Sequence, residues 1–268
     1  MTASRAGWVL AKSLLTRIPC RPSRTDPEAV GWAMTWAPLI GAIVGGIGSA
    51  VFTLVRLPLD GGASRLLPAV LALAAIAVAT GGLHLDGLAD SADSLGVRGD
   101  PAAVRAAMKS PGVGAFGVGA VLFVVLADVA AINLAGGYRL AVTALLTGCV
   151  AGRLAATWSC RPAVRPATDT GLGASVAGTV SIRRAVLATA YAAVVVGAWA
   201  ALWCRHAPLG PVALAVGALV AGVAVGEATR RFVVRRTGGL TGDVLGAVVE
   251  VGAMTAYIVV ALGARAAT

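Results

Sequence analysis

The stretch that decides the fold reads VGWAMTWAPLIGAIVGGIGSAVFTLV and runs from Val30 to Val55. It contains no Asp, Glu, Lys or Arg, and it exceeds the roughly 20 apolar residues that a helix needs to cross a bilayer. The whole chain shares this character, because 58% of its 268 residues are hydrophobic and only 13% are charged. Globular domains carry about 25% charged residues. The composition therefore predicts a polytopic membrane protein, and it excludes a disordered chain or an ordinary soluble one.

Further apolar runs predict the rest of the bundle. They cover about 66–83, 114–135, 138–158, 185–204, 208–229 and 244–263. The predicted fold class is all-α, a membrane-embedded bundle of about seven transmembrane helices that forms one domain over 1–268. The second of these runs is short and ends in polar residues. The N-terminal segment 1–28 is too charged to cross, and Trp8 and Leu10 beside Lys12 predict an interfacial helix.

The net charge of +10 comes mostly from arginine. With the N-terminus in the cytoplasm, most of the 22 Lys and Arg residues fall on the cytoplasmic side, as the positive-inside rule expects. That orientation places 84–113, 159–184 and 230–243 together, and these segments hold most of the polar chemistry. Nucleic acid is not an expected partner, because the basic residues are scattered between apolar runs instead of forming one face.

The second apolar run leads into an acidic motif, TGGLHLDGLADSADSLG, which begins at Thr80. Asp86, Asp90 and Asp93 are spaced i, i+4, i+7, so a helix places them on one face. Three like charges there favour a cation, and Mg²⁺ binds through one or two carboxylates plus substrate phosphates. A solvated helix end that needs no metal is the alternative interpretation.

Part of this motif recurs near the C-terminus. Residues 80–83 and 237–240 both read TGGL, and an aspartate follows each threonine by six residues, at Asp86 and Asp243. In a chain with 35 glycines the match can be chance. If it is not, two glycine-bounded aspartates approach one site from separate spans, and glycines without side chains let a phosphate come close to the backbone.

Cationic residues lie on the same predicted side. Arg153 falls inside the fourth apolar run, where an arginine either pairs, with Glu250 as one partner, or snorkels to the surface. Lys109 and the pair Arg235 and Arg236 can neutralise phosphates. Attraction to lipid headgroups explains such arginine pairs equally well.

Several motifs in order closely resemble one family. They are LLTRIP (14–19), APLIGAIVGG (37–46), HLDGLAD (84–90) with a third aspartate after it, MK followed by GAFG (108–117), and GGLTGDVLGA (238–247). Together they resemble cobalamin synthase, the adenosylcobinamide-GDP ribazoletransferase family, over nearly the whole chain. Two departures are visible: Ser110 and Pro111 stand where an acidic residue is expected after Met-Lys, and Ser94 stands where glycine commonly follows the third aspartate.

The resemblance implies an enzyme of the bacterial cytoplasmic (inner) membrane, with its N-terminus and active site on the cytoplasmic side. Such an enzyme joins α-ribazole, or its 5′-phosphate, to adenosylcobinamide-GDP and releases GMP, and it requires Mg²⁺. Under this hypothesis one or two Mg²⁺ ions bridge the diphosphate, and Asp93 or His84 accepts the proton of the ribose hydroxyl if either lies within reach of it.

The predicted site residues fall into three groups. The metal ligands are Asp86, Asp90, Asp93 and Asp243. The catalytic residues are Asp93, His84 and Arg153. The substrate-binding residues are Lys109, Arg235, Arg236, Gly82 and Gly239.

Two other functions share some of these features. A CDP-alcohol phosphotransferase-like or prenyltransferase-like enzyme also holds a diphosphate through intramembrane aspartates and Mg²⁺. A transporter is disfavoured, because its acids would lie near the bilayer midplane, whereas this acidic motif sits at one face. Membrane lipid is an expected partner, and a homo-oligomer is left open.

Overall fold

A computed structural model describes residues 2–59, 64–110, 112–206 and 209–266. Over these ranges the chain forms eleven helices and no strand, which confirms the all-α fold class. Pro111 and Pro208, the latter the predicted start of the sixth span, lie outside the described residues. The helices are α1 (Ala3–Leu15), α2 (Pro27–Arg56), α3 (Leu66–Thr80), α4 (Leu83–Leu95), α5 (Pro101–Met108), α6 (Ala115–Leu134), α7 (Tyr138–Ser159), α8 (Gly171–Val176), α9 (Ile182–Trp203), α10 (Leu209–Thr237) and α11 (Gly242–Ala266).

Six of these helices, α2, α6, α7, α9, α10 and α11, are long and apolar enough to cross a membrane on their own. α3 and α4 meet the same criterion only as a pair that bends by 91° at the break between them. The chain is thus a polytopic helical protein with six spans, or seven if the bent pair counts as one. The predicted second span, 66–83, ends early at Thr80, because Gly81 and Gly82 adopt left-handed φ values of 66° and 72° that stop the helix.

α7 forms the centre of the bundle and is buried along almost its whole length. Glycines let its neighbours approach closely, as small residues do between membrane helices. A Cβ atom at Gly41 of α2 would lie 2.4 Å from the Cys149 carbonyl oxygen, and one at Gly152 would lie 2.3 Å from the Val249 carbonyl oxygen of α11. Helix packing by small residues therefore holds α2, α7 and α11 in backbone contact.

The predicted N-terminal amphipathic segment forms α1, which packs against α2. Its apolar face is buried at Ala6 and Leu10. Trp8 meets Trp36 edge-on at 6.3 Å between ring centroids, and Trp36 Nε1 donates a hydrogen bond to the Ser4 carbonyl oxygen at 3.2 Å. The apolar stripe of this segment therefore contacts the bundle itself.

The three polar segments meet at one end of the bundle. The Leu240 amide donates to the Arg165 carbonyl at 2.9 Å, and the Ala167 amide donates to the Leu240 carbonyl at 3.1 Å. Arg105 Nη1 of α5 donates to the Thr237 carbonyl at the end of α10 at 2.7 Å. These bonds gather the polar parts of the chain into one surface.

Candidate active site

The acidic motif and Asp243 come together where α4 crosses α11. A Cβ atom at Gly246 would lie only 2.9 Å from the Gly87 Cα atom, and one at Gly87 would lie 2.9 Å from the Asp243 carbonyl oxygen. Only glycine fits at such a crossing, because a side chain on either residue would force the two backbones apart. The contact places Asp86 and Asp90, on either side of Gly87 in sequence, beside the first turn of α11.

Each copy of the TGGL sequence ends one helix and leads into the next. In each copy the threonine is the last residue of a helix, at Thr80 and Thr237, and a left-handed glycine follows, Gly81 with φ 66° and Gly238 with φ 77°. In each, the aspartate lies in the first turn of the next helix, where the helix dipole favours a negative charge. The recurrence therefore marks two equivalent helix breaks, each of which delivers one carboxylate to the same place.

Negative charge accumulates at this crossing. Asp90 lies within electrostatic range of Asp243, Asp86 and Asp93, all of the same sign. The Asp243 carboxylate interacts with the Thr241 side chain and lies within electrostatic range of the Lys109 ammonium. No hydrogen bond or ion pair from the described residues neutralises the side chain of Asp86 or Asp90. Like charges left unpaired at a helix end cost free energy, and a bound cation would remove that cost.

The donor set fits a hard cation such as Mg²⁺, because it consists of carboxylate oxygens. Within the part of the chain that the structure describes, no three His, Cys, Asp or Glu side chains are arranged to hold a metal ion by themselves. Proteins bind Mg²⁺ through one or two carboxylates with substrate phosphates and water. The residues therefore fit a magnesium site that a phosphorylated substrate completes.

Asp93 has a different environment from the other three aspartates. Its two carboxylate oxygens accept hydrogen bonds from the backbone amides of Gly114 and Gly117, each at 2.7 Å. Cβ atoms at these glycines would lie 2.5 and 2.6 Å from the carboxylate. Asp93 thus satisfies unpaired amides at the start of α6. This geometry gives Asp93 a structural role. Each oxygen keeps a further lone pair, so the metal-ligand and proton-acceptor roles stay predictions.

His84 and Arg153 lie beneath the site instead of in it. They are 4% and 2% exposed, and Arg153 Nη2 lies 3.4 Å from His84 Nδ1. A small cavity of about 40 Å³ beside Arg153 is also lined by Asp128 and Glu250. The prediction that His84 or Arg153 contacts the substrate does not fit this burial. These buried polar residues, with Asp128 among them, instead pack beneath the start of α4 inside the bundle.

A large cleft opens on the Asp86 side of the crossing. This wide cleft has a volume of about 1030 Å³ and is lined by the end of α1, the α3–α4 break, α4 and α6. Arg17, Gly82 and Asp86 form part of its wall, and apolar side chains such as Leu122 and Val125 form much of the rest. Its size and mixed lining suit a large amphipathic ligand.

A smaller cleft opens on the Asp243 side. This narrow cleft, of about 230 Å³, is lined by Arg105, Lys109, Asp243 and the segment 168–173, among others. The Lys109 ammonium and the part of the Arg105 guanidinium that is not bonded to Thr237 suit a phosphorylated nucleoside. Arg105 and the segment 168–173 lie within the predicted polar segments 84–113 and 159–184, but the sequence did not single them out as site residues. The segment 168–173 reads TDTGLG, and such Gly- and Thr-rich stretches are a recognisable loop signal.

Three predicted substrate-binding residues lie elsewhere. Arg235 is exposed and lines neither cleft. Arg236 Nη2 donates to the carbonyl oxygens of Leu95 and Val97 at 3.3 and 2.7 Å, so it holds the end of α4. Gly239 is buried, and a Cβ atom there would lie 2.4 Å from the Pro166 carbonyl oxygen. Arg236 and Gly239 thus have structural partners within the chain, and the substrate-binding role of Arg235 stays a prediction.

Comparison with known proteins bears directly on this site. The family model described as cobalamin-5-phosphate synthase matches residues 7–261. The chain belongs to this family. A relative from Frankia casuarinae, named adenosylcobinamide-GDP ribazoletransferase, is 40% identical over 94% of this chain and 93% of its own length. A relative of the same name from Stutzerimonas stutzeri is 37% identical over 90% of this chain and 92% of its own length. No solved structure matches.

Membership of the cobalamin-5-phosphate synthase family confirms the resemblance seen in the sequence, and the names of these relatives describe transferases. Four of the five motifs that carried the resemblance lie at the site or line its clefts, whereas APLIGAIVGG packs α2 against α7. The α4–α11 crossing is formed by HLDGLAD and GGLTGDVLGA. The backbone amides of GAFG donate hydrogen bonds to Asp93, and Thr16 and Arg17 of LLTRIP line the wide cleft.

Proposed function

We propose that this chain joins α-ribazole, or its 5′-phosphate, to adenosylcobinamide-GDP and releases GMP, as the names of its relatives suggest. The observation that carries the proposal is the α4–α11 crossing at Gly87 and Gly246. It sets Asp86, Asp90 and Asp243 between a wide amphipathic cleft and a narrow cationic one. A substrate with a bulky corrinoid and a nucleotide on opposite sides of a diphosphate matches that layout.

In this proposal the carboxylates of Asp86, Asp90 and Asp243 bind Mg²⁺ only together with the substrate phosphates, one or two carboxylates to each ion. Bound Mg²⁺ would neutralise negative charge on the diphosphate oxygens. The unpaired charge of Asp86 and Asp90 supports the assignment, as does the oxygen-only donor set. Asp93 is a positioning residue here, since its hydrogen bonds to Gly114 and Gly117 fix the distance between α4 and α6.

In this proposal each end of the substrate binds in one of the two clefts. The corrinoid lies in the wide cleft against Leu122 and Val125, and the guanosine phosphate lies in the narrow cleft near Arg105 and Lys109. The ribose hydroxyl of the acceptor forms a new bond to the phosphorus on the corrinoid side. The bond from that phosphorus to the bridging oxygen breaks, GMP leaves with the electron pair, and the hydroxyl proton is released.

The residues of the chain contribute mainly position and charge. Phosphoryl transfer asks a protein chiefly to align the reacting groups and to neutralise the transferring oxygens. Lys109 and Arg105 stabilise the departing phosphate. The buried contact between His84 of α4 and Arg153 of α7 holds the two helices together, so these two act as positioning residues. We place the site at the cytoplasmic face of the inner membrane, on the basis of the arginine distribution.

The test is turnover by the purified full chain in proteoliposomes with Mg²⁺. Asp86→Asn and Asp90→Asn should each lose at least about a hundredfold in GMP release, because each removes a charged ligand. Asp100→Asn is the matched control. Asp100 caps α5 through a hydrogen bond to the Ala103 amide, and asparagine caps a helix equally well.

Two results would contradict the proposal. Near-normal turnover by both Asp86→Asn and Asp90→Asn would refute the metal assignment. Transfer from a CDP-lipid, with none from adenosylcobinamide-GDP, would refute the substrate and favour a CDP-alcohol phosphotransferase-like enzyme.

A further inference from the structure

A groove on the lateral surface, away from both clefts, has a shape and charge that the proposed reaction does not use. It lies between α7, α9 and α10 and has a volume of about 520 Å³. We call it the lateral groove; Leu154, Ala193, Val216, Val220 and Val223 form most of its apolar wall. At its base Trp158 Nε1 donates to Thr189 Oγ1 at 2.9 Å, so the indole is fixed and its apolar surface faces the groove.

One end of the lateral groove carries a cluster of charge. Glu227 accepts hydrogen bonds from three arginines, at 2.7 Å each from Arg161 Nη2, Arg230 Nη2 and Arg231 Nε. Three guanidinium groups against one carboxylate leave an excess of positive charge. The positive charge that a ligand can contact is that of Arg231, because 64% of its side chain is exposed. The side chains of Arg161 and Arg230 are only 17% and 9% exposed.

The groove also has the length of a lipid chain in one leaflet. From Arg231 to Val216 it follows α10 for about 22 Å at 1.5 Å per residue, which exceeds the roughly 15 Å of hydrocarbon in half a bilayer. Its charged end lies where α7 ends at Ser159, toward the end of the bundle that carries the aspartates. A headgroup at Arg231 therefore places an acyl chain along the apolar wall.

We propose that the lateral groove binds one anionic phospholipid from the same leaflet as the active site. Its phosphate or anionic headgroup pairs with Arg231, and one acyl chain lies against Val220 and Val223. Charge complementarity selects this occupant, because a zwitterionic lipid gains less from an excess of positive charge. The proposal does not depend on the reaction catalysed.

The purified full chain is first equilibrated with equal amounts of phosphatidylglycerol and phosphatidylcholine. Native mass spectrometry then measures how much of each lipid the protein retains. Wild-type protein should keep phosphatidylglycerol in preference. Arg231→Gln should lower the ratio of the two lipids about fivefold, the effect of one arginine near a headgroup. Val223→Phe should lower retention several-fold, because the ring projects into the groove and narrows the path of the acyl chain.

Matched variants control both changes. Arg183→Gln removes an exposed arginine outside the groove, and Val225→Phe adds the same ring to an exposed position on α10 that does not line it; both should bind lipid as the wild type does. Equal retention of the two lipids, or an unchanged ratio in Arg231→Gln, overturns the proposal. So does a lipid-free dimer that Val223→Phe breaks, since the groove would then hold a second copy of the chain.

Discussion

Replacing Gly246 by alanine tests the α4–α11 crossing. The new Cβ atom would lie 2.9 Å from Gly87 Cα and 2.9 Å from the His84 carbonyl oxygen, whereas carbon atoms pack at about 3.5–4.0 Å. The two helices must therefore separate by roughly 0.6 Å or more. Overpacking costs about 1–3 kcal/mol, and alanine recovers about 0.5–1 kcal/mol of helix propensity. The net loss of stability is about 0 to 2.5 kcal/mol, which the fold should survive.

The effect on activity should be larger than the effect on stability. A misplacement of about 1 Å can cost a hundredfold in rate, so Gly246→Ala should lose about tenfold or more in GMP release from proteoliposomes. Gly217→Ala, within α10, is the control, because a Cβ atom there meets nothing within 4 Å. Turnover of Gly246→Ala equal to that of Gly217→Ala would show that the crossing does not position the aspartates.

Three further changes probe neighbouring parts of the site. Asp93→Asn should lower the thermal unfolding midpoint, since an amide keeps one acceptor oxygen and leaves an amide of Gly114 or Gly117 unpaired at about 1–3 kcal/mol; an unchanged midpoint would argue against this role. Gly239→Ala should reduce the yield of folded protein on size exclusion, because its Cβ would lie 2.4 Å from the Pro166 carbonyl oxygen; normal yield and turnover would contradict that packing. Ca²⁺ in place of Mg²⁺ should bind competitively and slow turnover about tenfold, because its longer bonds misplace the phosphates; equal rates with both ions would contradict the magnesium assignment.

Patterns local in sequence predicted most of the fold. Apolar runs located the helices, and the two TGGL sequences marked two breaks that meet in space. The bend after Thr80 was not predicted. Two consecutive left-handed glycines turn the chain by 91° there. Periodicity cannot distinguish a short span from half of a bent pair, since both read as apolar residues followed by polar ones.

Side chains whose partners are distant backbone groups could not be assigned from the sequence. Asp93 resembles Asp86 and Asp90 in spacing, yet its partners are amides more than twenty residues away. Arg236 resembles a phosphate ligand, yet it holds the carbonyls that end α4. Residue type reveals a charge, but only the packing reveals which charges are already paired. The site is identified by two unpaired carboxylates, Asp86 and Asp90, that lie beside Asp243 at one helix crossing.

The most direct measurement is a structure of the full chain with Mn²⁺ and adenosylcobinamide-GDP, examined for anomalous metal density. We expect density beside Asp86, Asp90 and Asp243, in contact with the substrate diphosphate. Density bound elsewhere, or a diphosphate held by side chains far from the α4–α11 crossing, would contradict it.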